Sequence, residues 1–279
     1  GSKPFVGLND ATTEGTLVWS SGSTGAYRRW RSGEPSNTAS KDYVRFDGTP
    51  DGTWEIITLS TGTEAIVEVK GALNVPGEFA SLDAAFNVVN NFNAKEISVG
   101  PGVYTLAQSR SLNGVKLRGA GPALTKIQGL LSTYSPSFVI NAGSSVEGID
   151  FVGRSSNQAI FVVDNYASAP VTIANCVLRS VLAPDNAQLL QLVSGPVTFE
   201  RCEFFDSGYL IVSNGDDSIV FTAVNCILRD MKSTYFVGGT GPTFRLVNSV
   251  VTRFTSTSGI FCSDFDIELV NTIVWGNTS

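Results

Sequence analysis

The sequence predicts a mainly β protein whose larger part is a parallel β-helix, and three observations lead to this prediction. A strand-like segment that contains Asn or Arg followed by a small residue recurs at intervals of 23 to 26 residues. Two further strand-like segments accompany each copy, so each repeat of about 24 residues carries three short strands. One helix is indicated, by apolar residues at Leu82, Ala85, Phe86 and Val89. One repeat cannot bury its own apolar side chains, whereas repeats stacked about 4.8 Å apart share a continuous core.

The recurring segment places two columns of residues in register along the stack. The first column consists of Asn175, Arg201, Asn225, Asn248 and Asn271. Asn tolerates the left-handed conformation that a tight bend requires, and stacked amides can hydrogen-bond along a column. The second column consists of Cys176, Cys202, Cys226, Ser249 and Thr272. We expect these small residues to point into the core, with buried free thiols favoured over a disulfide between neighbouring rungs.

The composition changes near residue 73 and divides the chain into two predicted domains. Residues 1–73 are rich in Gly, Ser, Thr and Trp, whereas residues 74–279 contain the repeats. A capping helix is predicted over residues 81–92, with Ser81 as its N-cap. The opening Gly1-Ser2 is typical of a cleaved tag, so a native signal peptide would be lost from this start.

Composition argues against several function classes. The sequence has no histidine, which excludes Ser-His-Asp triads, imidazole bases and His-ligated metals. It has 19 Lys and Arg against 25 Asp and Glu, a net charge of −6, and no basic cluster. These values disfavour nucleic acid and anionic membranes as partners. No apolar stretch approaches the roughly 18 residues of a membrane span, and we expect no cofactor.

Residues 74–279 carry a characteristic succession of segments. SLDAAFNVVNNF is followed by EISVGPGVYTL and LRGAGP, and then by rungs that end in NTIVWGN. This succession resembles the pectate-lyase-like superfamily of right-handed parallel β-helix proteins. The resemblance implies three sheets and a right-handed coil. It leaves the function open, because the superfamily includes pectate lyases, polygalacturonases, pectin methylesterases, phage tailspikes and bacterial surface proteins without known activity.

Residues 5–70 carry FVGLND, EGTLVWSSG, GEPSN, GTWE and AIVE in this order. These pieces resemble the second half of a C-type lectin-like domain, although the positions of that family's cysteines read Tyr43, Leu59 and Val67. The positions of its calcium and sugar ligands read Glu34, Ser36, Lys41, Glu55 and Ile56. Because Ca²⁺ requires six to eight oxygen ligands, we expect no calcium or other metal within residues 30–60. The candidate ligand-binding residues that remain are Glu34, Asn37 and Trp54.

The predicted first sheet of the β-helix is poor in charge. The resemblance implies that polysaccharide-cleaving β-helices place Asp, Lys and Arg on the outer face of one sheet. Here the segments 158–164, 188–194, 209–213, 234–239 and 259–264 carry only Asp164 and Asp264. Both alternating sets are apolar, so we expect another part or copy of the chain to cover this sheet. The residues expected beneath that cover are Phe161, Val163, Leu210, Val212, Tyr235 and Val237.

An enzyme is the alternative, with Asp216, Asp217 and Arg229 as candidate catalytic residues. Asp216-Asp217 in NGDDS is similar to the paired carboxylates of polygalacturonases, but a solvated turn is the favoured interpretation. Arg229 and Arg179 occupy matching places two rungs apart, near Asp206 and Asp230, where they could line a small groove.

The sequence therefore favours a non-catalytic extracellular or cell-surface protein, bacterial or phage in style, that serves recognition, adhesion or assembly. Carbohydrate is the candidate ligand, and self-association through the apolar first sheet or the open end of the stack is a further expectation. The alternative is a polysaccharide-degrading lyase or glycoside hydrolase, or a phage tailspike.

Overall fold

The chain forms two units in this computed structural model, Gly1–Val69 and Lys70–Ser279. The residues that the structure describes are 3–20, 24, 26–36, 38, 40–58, 72–92, 95–130, 135–153, 159–165, 169–180, 188–213, 218–233, 243–255 and 266–278.

The first unit is a small antiparallel sheet built around one tryptophan. Its strands are β1 (Phe5–Asn9), β2 (Val18–Trp19), β3 (Tyr43–Phe46) and β4 (Trp54–Ile57), in the order β2-β1-β3-β4. Leu8, Val44 and Ile56 form the buried core with Trp54. Four aromatic rings meet the Trp54 ring edge-on at centroid distances of 5.7 to 6.4 Å: Trp19, Tyr27, Trp30 and Phe46. This cluster supplies most of the aromatic packing of a unit too small for a large core.

The second unit is a solenoid. It begins with β5 (Ala72–Val75), α1 (Leu82–Phe92), β6 (Glu96–Val99), β7 (Gly102–Thr105) and β8 (Arg110–Leu112). The next rungs are β9 (Lys116–Gly119), β10 (Thr125–Gln128), β11 (Phe138–Asn141), β12 (Ser145–Glu147), β13 (Asp150–Gly153), β14 (Phe161–Asp164), β15 (Val171–Ala174), β16 (Val177–Ser180) and β17 (Gln188–Ser194). The last are β18 (Pro196–Glu200), β19 (Glu203–Phe205), β20 (Ser207–Ser213), β21 (Val220–Val224), β22 (Ile227–Arg229), β23 (Met231–Ser233), β24 (Thr243–Val247), β25 (Val250–Thr252), β26 (Asp266–Val270) and β27 (Ile273–Trp275).

These strands stack into three parallel sheets, as the repeat predicted. Sheet 1 contains six described strands in the order β8-β11-β14-β17-β20-β23. Sheet 2 contains nine, from β5 and β6 through β9, β12, β15, β18, β21 and β24 to β26. Sheet 3 contains eight, from β7 through β10, β13, β16, β19, β22 and β25 to β27. The unit boundary precedes β5 rather than falling at residue 73, because β5 pairs in parallel with β6 from Ala72 to Val75.

The predicted capping helix is present, and one arginine ties it to the first rung. The Ala84 N–H donates to Ser81 Oγ at 3.2 Å, which makes Ser81 the N-cap. Arg110 of β8 donates to Asp83 Oδ1 at 2.5 and 2.7 Å and to Asn87 Oδ1 at 2.8 Å. Its guanidinium also lies over the ring of Phe86, which is fully buried. The helix therefore covers the end of the core through both apolar and charged contacts.

The predicted left-handed column is confirmed at every position. Asn175, Arg201, Asn225, Asn248 and Asn271 all have φ between 47° and 54°. The following residues point inward, and Cys176, Cys202 and Cys226 are buried free thiols. A second left-handed column, at the bend after sheet 3, was not predicted. It consists of Asp206, Asp230 and Arg253, with φ of 52°, 54° and 55°, and Gly276 with φ of 66°.

Stacked aromatic side chains fill the core. Phe221 and Phe244 occupy paired positions on two consecutive strands of sheet 2, and their rings lie parallel at 4.6 Å, while Phe199 of the preceding strand contacts the Phe221 ring at 5.3 Å. Phe138, Phe151 and Phe161 form a second cluster nearer the helix, with centroid distances of 4.7 to 5.8 Å. All six side chains are fully buried.

Sheet 1 corrects one sequence prediction. Phe161 and Val163 pair with Leu190 and Leu192, and these side chains, like Leu210, are fully buried and need no cover from outside. Their neighbours Val162 and Gln191 pair with each other and are half-buried on the outer side. At Phe161 and Val163 the prediction took inward side chains for outward ones, and a shift of one residue exchanges the two faces of a strand. The Val212 side chain, Tyr235 and Val237 lie outside the described residues.

Candidate functional site

Trp54, a sequence candidate for ligand binding, is a core residue. Its side chain is 6% exposed and lies inside the ring of aromatic neighbours described above. A ligand would have to displace that packing to reach the indole. In this position Trp54 contributes to the core of the first unit, and its role in ligand binding stays a prediction.

Glu34 and Glu55 are committed to contacts within the first unit. Glu34 Oε2 accepts the N–H groups of Ser36 at 2.8 Å and Ile56 at 3.3 Å. Burial opposes these hydrogen bonds, but they and Arg31 keep the pKa of Glu34 below its usual value. Glu55 is buried and pairs with Arg31 at 2.7 Å and with Arg45 at 2.9 Å. Both carboxylates therefore make contacts that stabilise the fold, and ligand binding by Glu34 stays a prediction.

The remaining first-unit candidates add no site. Asn37 lies outside the described residues. The Lys41 ammonium lies 3.4 Å from Ser36 Oγ, in the turn where the family resemblance would place a cation. Glu14, an acidic residue of the first unit outside the candidate set, has a raised pKa, because loss of hydration and, after it, repulsion from Asp10 and Asp42 disfavour its charged form. Within the described ranges, no group of three or more Cys, Asp or Glu side chains is arranged to hold a metal ion.

Of the three alternative catalytic residues, only Arg229 can be placed. Asp216 and Asp217 lie outside the described residues. Arg229 is the last residue of β22, in sheet 3. In this sheet the paired side chains of Leu178, Phe204 and Leu228, from three adjacent strands, point into the core. The flanking positions of these strands point away from the core, because side chains alternate along a strand.

The outer side of sheet 3 carries a continuous cluster of charged and aromatic side chains, here named the sheet 3 strip. Its members are Asp150, Arg179, Glu203, Phe205, Arg229, Asp230 and Arg253. They come from the successive strands β13, β16, β19, β22 and β25 and the bends that follow them. The strip is thus about 19 Å long, four strand spacings of about 4.8 Å.

At one end of the strip, Arg179 and Asp150 form a bidentate, half-buried ion pair. Arg179 Nε and Nη2 donate to the two oxygens of Asp150 at 3.1 and 3.0 Å. The Lys126 ammonium approaches the same carboxylate at 3.6 Å. The Asp150 side chain is only 9% exposed, so this carboxylate needs its cationic partners.

In the middle of the strip, an aromatic ring lies between two guanidinium groups. Phe205 pairs with Arg179 of the preceding strand in the parallel ladder. The Arg179 guanidinium carbon lies 6.0 Å from the Phe205 ring centre, and that of Arg229 lies 4.0 Å from it. Both arginines therefore make cation–π contacts with one half-buried ring.

At the other end, two arginines share Asp230. Arg229 donates from Nε to Glu203 and from Nη1 to Asp230, both at 2.6 Å. Arg253 donates to both oxygens of Asp230 at 2.5 and 2.6 Å. The hydrogen bond from Arg253, and after it that from Arg229, outweigh burial and lower the pKa of Asp230 to about 2. Asp230 is therefore ionised at every physiological pH.

The sequence revealed only part of this strip. It identified Arg179 and Arg229 at matching places and the acidic Asp230 beside them, and the structure places these three together. It missed Glu203, Phe205 and Arg253. Side chains alternate along a strand, so the inward Phe204 could have indicated that its neighbours Glu203 and Phe205 point outward. Arg253 reaches Asp230 from the bend of the next rung, which only the stacking register shows.

No protein-family model matches the chain. The solenoid matches solved β-helix structures, among them the catalytic domain of a GH87 alpha-1,3-glucanase in complex with tetrasaccharides (TM-score 0.50, 17% identity, 76% of this chain and 42% of that chain). This likeness settles the hand of the coil. The second unit is a right-handed parallel β-helix. A glucanase domain in complex with nigerose matches with a TM-score of 0.50 at 15% identity, over 76% of this chain and 47% of that chain.

The pectin methylesterase from Aspergillus niger matches with a TM-score of 0.47 at 14% identity, over 75% of this chain and 87% of that chain. The chain spans less than half the length of the glucanase domains. At these identities the matches establish the fold alone. In the described part of the chain, no helix has the length and apolar character of a membrane span.

Proposed function

We propose that this protein is a non-catalytic, extracellular carbohydrate-recognition module and that the sheet 3 strip is its binding surface. The carrying observation is that the strip holds its carboxylates in ion pairs around one aromatic ring. Such a surface offers hydrogen-bond acceptors, donors and the edge of an aromatic ring in fixed positions. These are the groups that bind a polyhydroxylated ring.

The protonation state of the strip supports recognition over catalysis. Glycoside hydrolysis requires one carboxyl group that keeps its proton near neutral pH and donates it to the leaving oxygen. Asp230 has a pKa of about 2 and is occupied by two arginines. Asp150 and Glu203 accept hydrogen bonds from Arg179 and Arg229 respectively. A proton donor is therefore disfavoured at Asp230.

The fold supports carbohydrate as the ligand class. The matched glucanase domains hold a tetrasaccharide in one structure and nigerose in another. Their fold presents long, exposed parallel sheets, on which an extended polymer can lie across several rungs. The second candidate function, a polysaccharide-cleaving β-helix enzyme, rests on the same fold likeness.

One experiment separates the two functions. The protein is incubated with a panel of bacterial and plant polysaccharides, and binding is measured beside the release of reducing ends and of unsaturated uronate absorbance. Our proposal expects retention on at least one polysaccharide without either product. Product formation by the wild type that is lost in Asp230→Asn would establish the enzyme instead, and absence of binding to every polysaccharide would contradict the recognition function.

A further inference from the structure

We propose that the ligand of the sheet 3 strip is an uncharged polysaccharide that lies parallel to the solenoid axis, with about one sugar ring for each rung. This inference rests on the proposed recognition function and specifies the charge, direction and length of what the strip binds. The three properties follow from the ion pairs, the aromatic ring and the strand spacing described above.

The ion pairs determine the charge of the ligand. Arg179 is occupied by Asp150, Arg229 by Glu203 and Asp230, and Arg253 by both oxygens of Asp230. An anionic sugar that binds these arginines is repelled by the carboxylates they already hold, or it displaces one of them and leaves a carboxylate such as Asp150, which is nearly buried, without its partner. Neutral hydroxyl groups avoid this exchange, because they donate to the carboxylates and accept from the remaining guanidinium hydrogens.

The strand spacing determines the direction and length of the ligand. Arg179, Phe205 and Arg229 belong to three consecutive strands, so their planar groups repeat at about 4.8 Å along the axis. A pyranose ring in an extended chain advances by a similar distance. A ligand parallel to the axis can therefore contact one planar group with each sugar ring. A ligand perpendicular to the axis would contact only one of these planar groups.

Apolar side chains within the strip complete the surface. Val177, Ile227 and Val250 lie in the same outer column of sheet 3 as Asp150 and Glu203, and Ile227 is 43% exposed. The C–H face of a sugar ring can rest on these apolar side chains and on the edge of Phe205 while its hydroxyl groups point to the ion pairs. The combination is suited to an amphipathic neutral sugar and offers no unpaired cation to a uronate.

The test is calorimetric titration of the full chain with neutral gluco-oligosaccharides, from disaccharide to hexasaccharide, and with oligogalacturonides of the same lengths. We expect the affinity for a neutral series to rise with each unit up to about the length of the strip, and no binding of the uronates. Preference for the uronates would overturn the charge assignment and leave the recognition function standing. Affinity independent of length would overturn the axial direction, and absence of binding in both series would contradict the recognition function as well.

Two variants and a control assign the binding to the strip. Phe205→Leu keeps the apolar bulk and removes the π face, and we expect it to weaken binding of the longest bound oligosaccharide about tenfold. Arg229→Lys keeps the charge and removes the planar fork, with a loss of similar size. Thr198→Ala changes an outer residue of sheet 2 on the same rung and should bind as the wild type does. Unchanged binding in both strip variants, with thermal unfolding curves intact, would place the ligand elsewhere.

Discussion

At the scale of single residues, the cysteine column shows why a small side chain with both donor and acceptor atoms occupies the inner corner of each rung. Cys226 Sγ accepts the Cys202 N–H at 3.4 Å, and Ser249 Oγ accepts the Cys226 N–H at 3.1 Å. Each side chain also reaches the carbonyl oxygen two residues before it, at 3.4 Å from Cys226 Sγ and 2.9 Å from Ser249 Oγ. The hydrogen bond to Cys176, together with burial, raises the pKa of Cys202 to about 12, although the hydrogen bond with Cys226 acts in the opposite direction. The thiols therefore act as buried hydrogen-bonding groups.

This hydrogen-bond column predicts the effect of substituting Cys226. Cys226→Ser should change the free energy of unfolding by less than about 1 kcal/mol, because Ser249 fills the next place in the same column. Cys226→Ala should lower it by about 1–3 kcal/mol, since the buried Cys202 N–H loses its acceptor. Urea unfolding of both variants beside the wild type measures the difference. Equal stability of the two variants would show that packing volume alone sets this column.

Asp230 predicts a pH dependence at the same scale. Because its pKa is lowered from 3.8 to about 2 in the folded chain, Asp230 stabilises the fold fully above its unfolded pKa. This contribution is lost as the pH falls from about 4 to about 2. Asp230→Asn should therefore lower the thermal midpoint at pH 7, and the difference from the wild type should vanish near pH 2. A difference that stays constant across this range would contradict the ion pair.

At the scale of elements, the sequence predicts the helix and the strands that recur with the repeat, but it does not predict features that depend on how neighbouring rungs stack. The helix, the three sheets and the left-handed Asn column follow from local patterns, namely apolar spacing and a small residue after each Asn. The faces of sheet 1 do not, because its strand segments are apolar at both alternating sets and the correct register depends on the stacked neighbours. The strip was found only in part for the same reason, since Arg253 and Asp230 come from different rungs.

The capping helix offers a test of how strongly one charged residue joins two elements. The Arg110 side chain is 7% exposed and holds Asp83 and Asn87 of α1. Arg110→Ala leaves Asp83 without its partner, so we expect the free energy of unfolding to fall by about 2–3 kcal/mol. Arg118→Ala is the matched control. Its pair with Glu147 is half-exposed on both sides and should contribute less than about 1 kcal/mol. If chemical denaturation shows that both variants lose the same free energy of unfolding, Arg110 does not hold α1 to the first rung more strongly than a surface ion pair would.

At the scale of the whole molecule, the side chains that point into the solenoid stabilise it, and those that point outward are available for binding. Inward side chains are apolar and make contact from rung to rung, as where Phe244 stacks on Phe221 and Phe221 contacts Phe199. Outward columns are free to vary, and on sheet 3 they bring together groups from five successive strands. A surface assembled in this way suits an extended ligand, because each rung adds one equivalent contact.

The central claim is that an uncharged polysaccharide binds intact along the sheet 3 strip. The most direct measurement is the crystal structure of the full chain with a neutral hexasaccharide taken from a series that binds in solution. The claim predicts electron density for consecutive sugar rings parallel to the solenoid axis, with one ring against the edge of Phe205 and every glycosidic bond unbroken. Density on sheet 1 or in the first unit, or a cleaved product at any position, would contradict it.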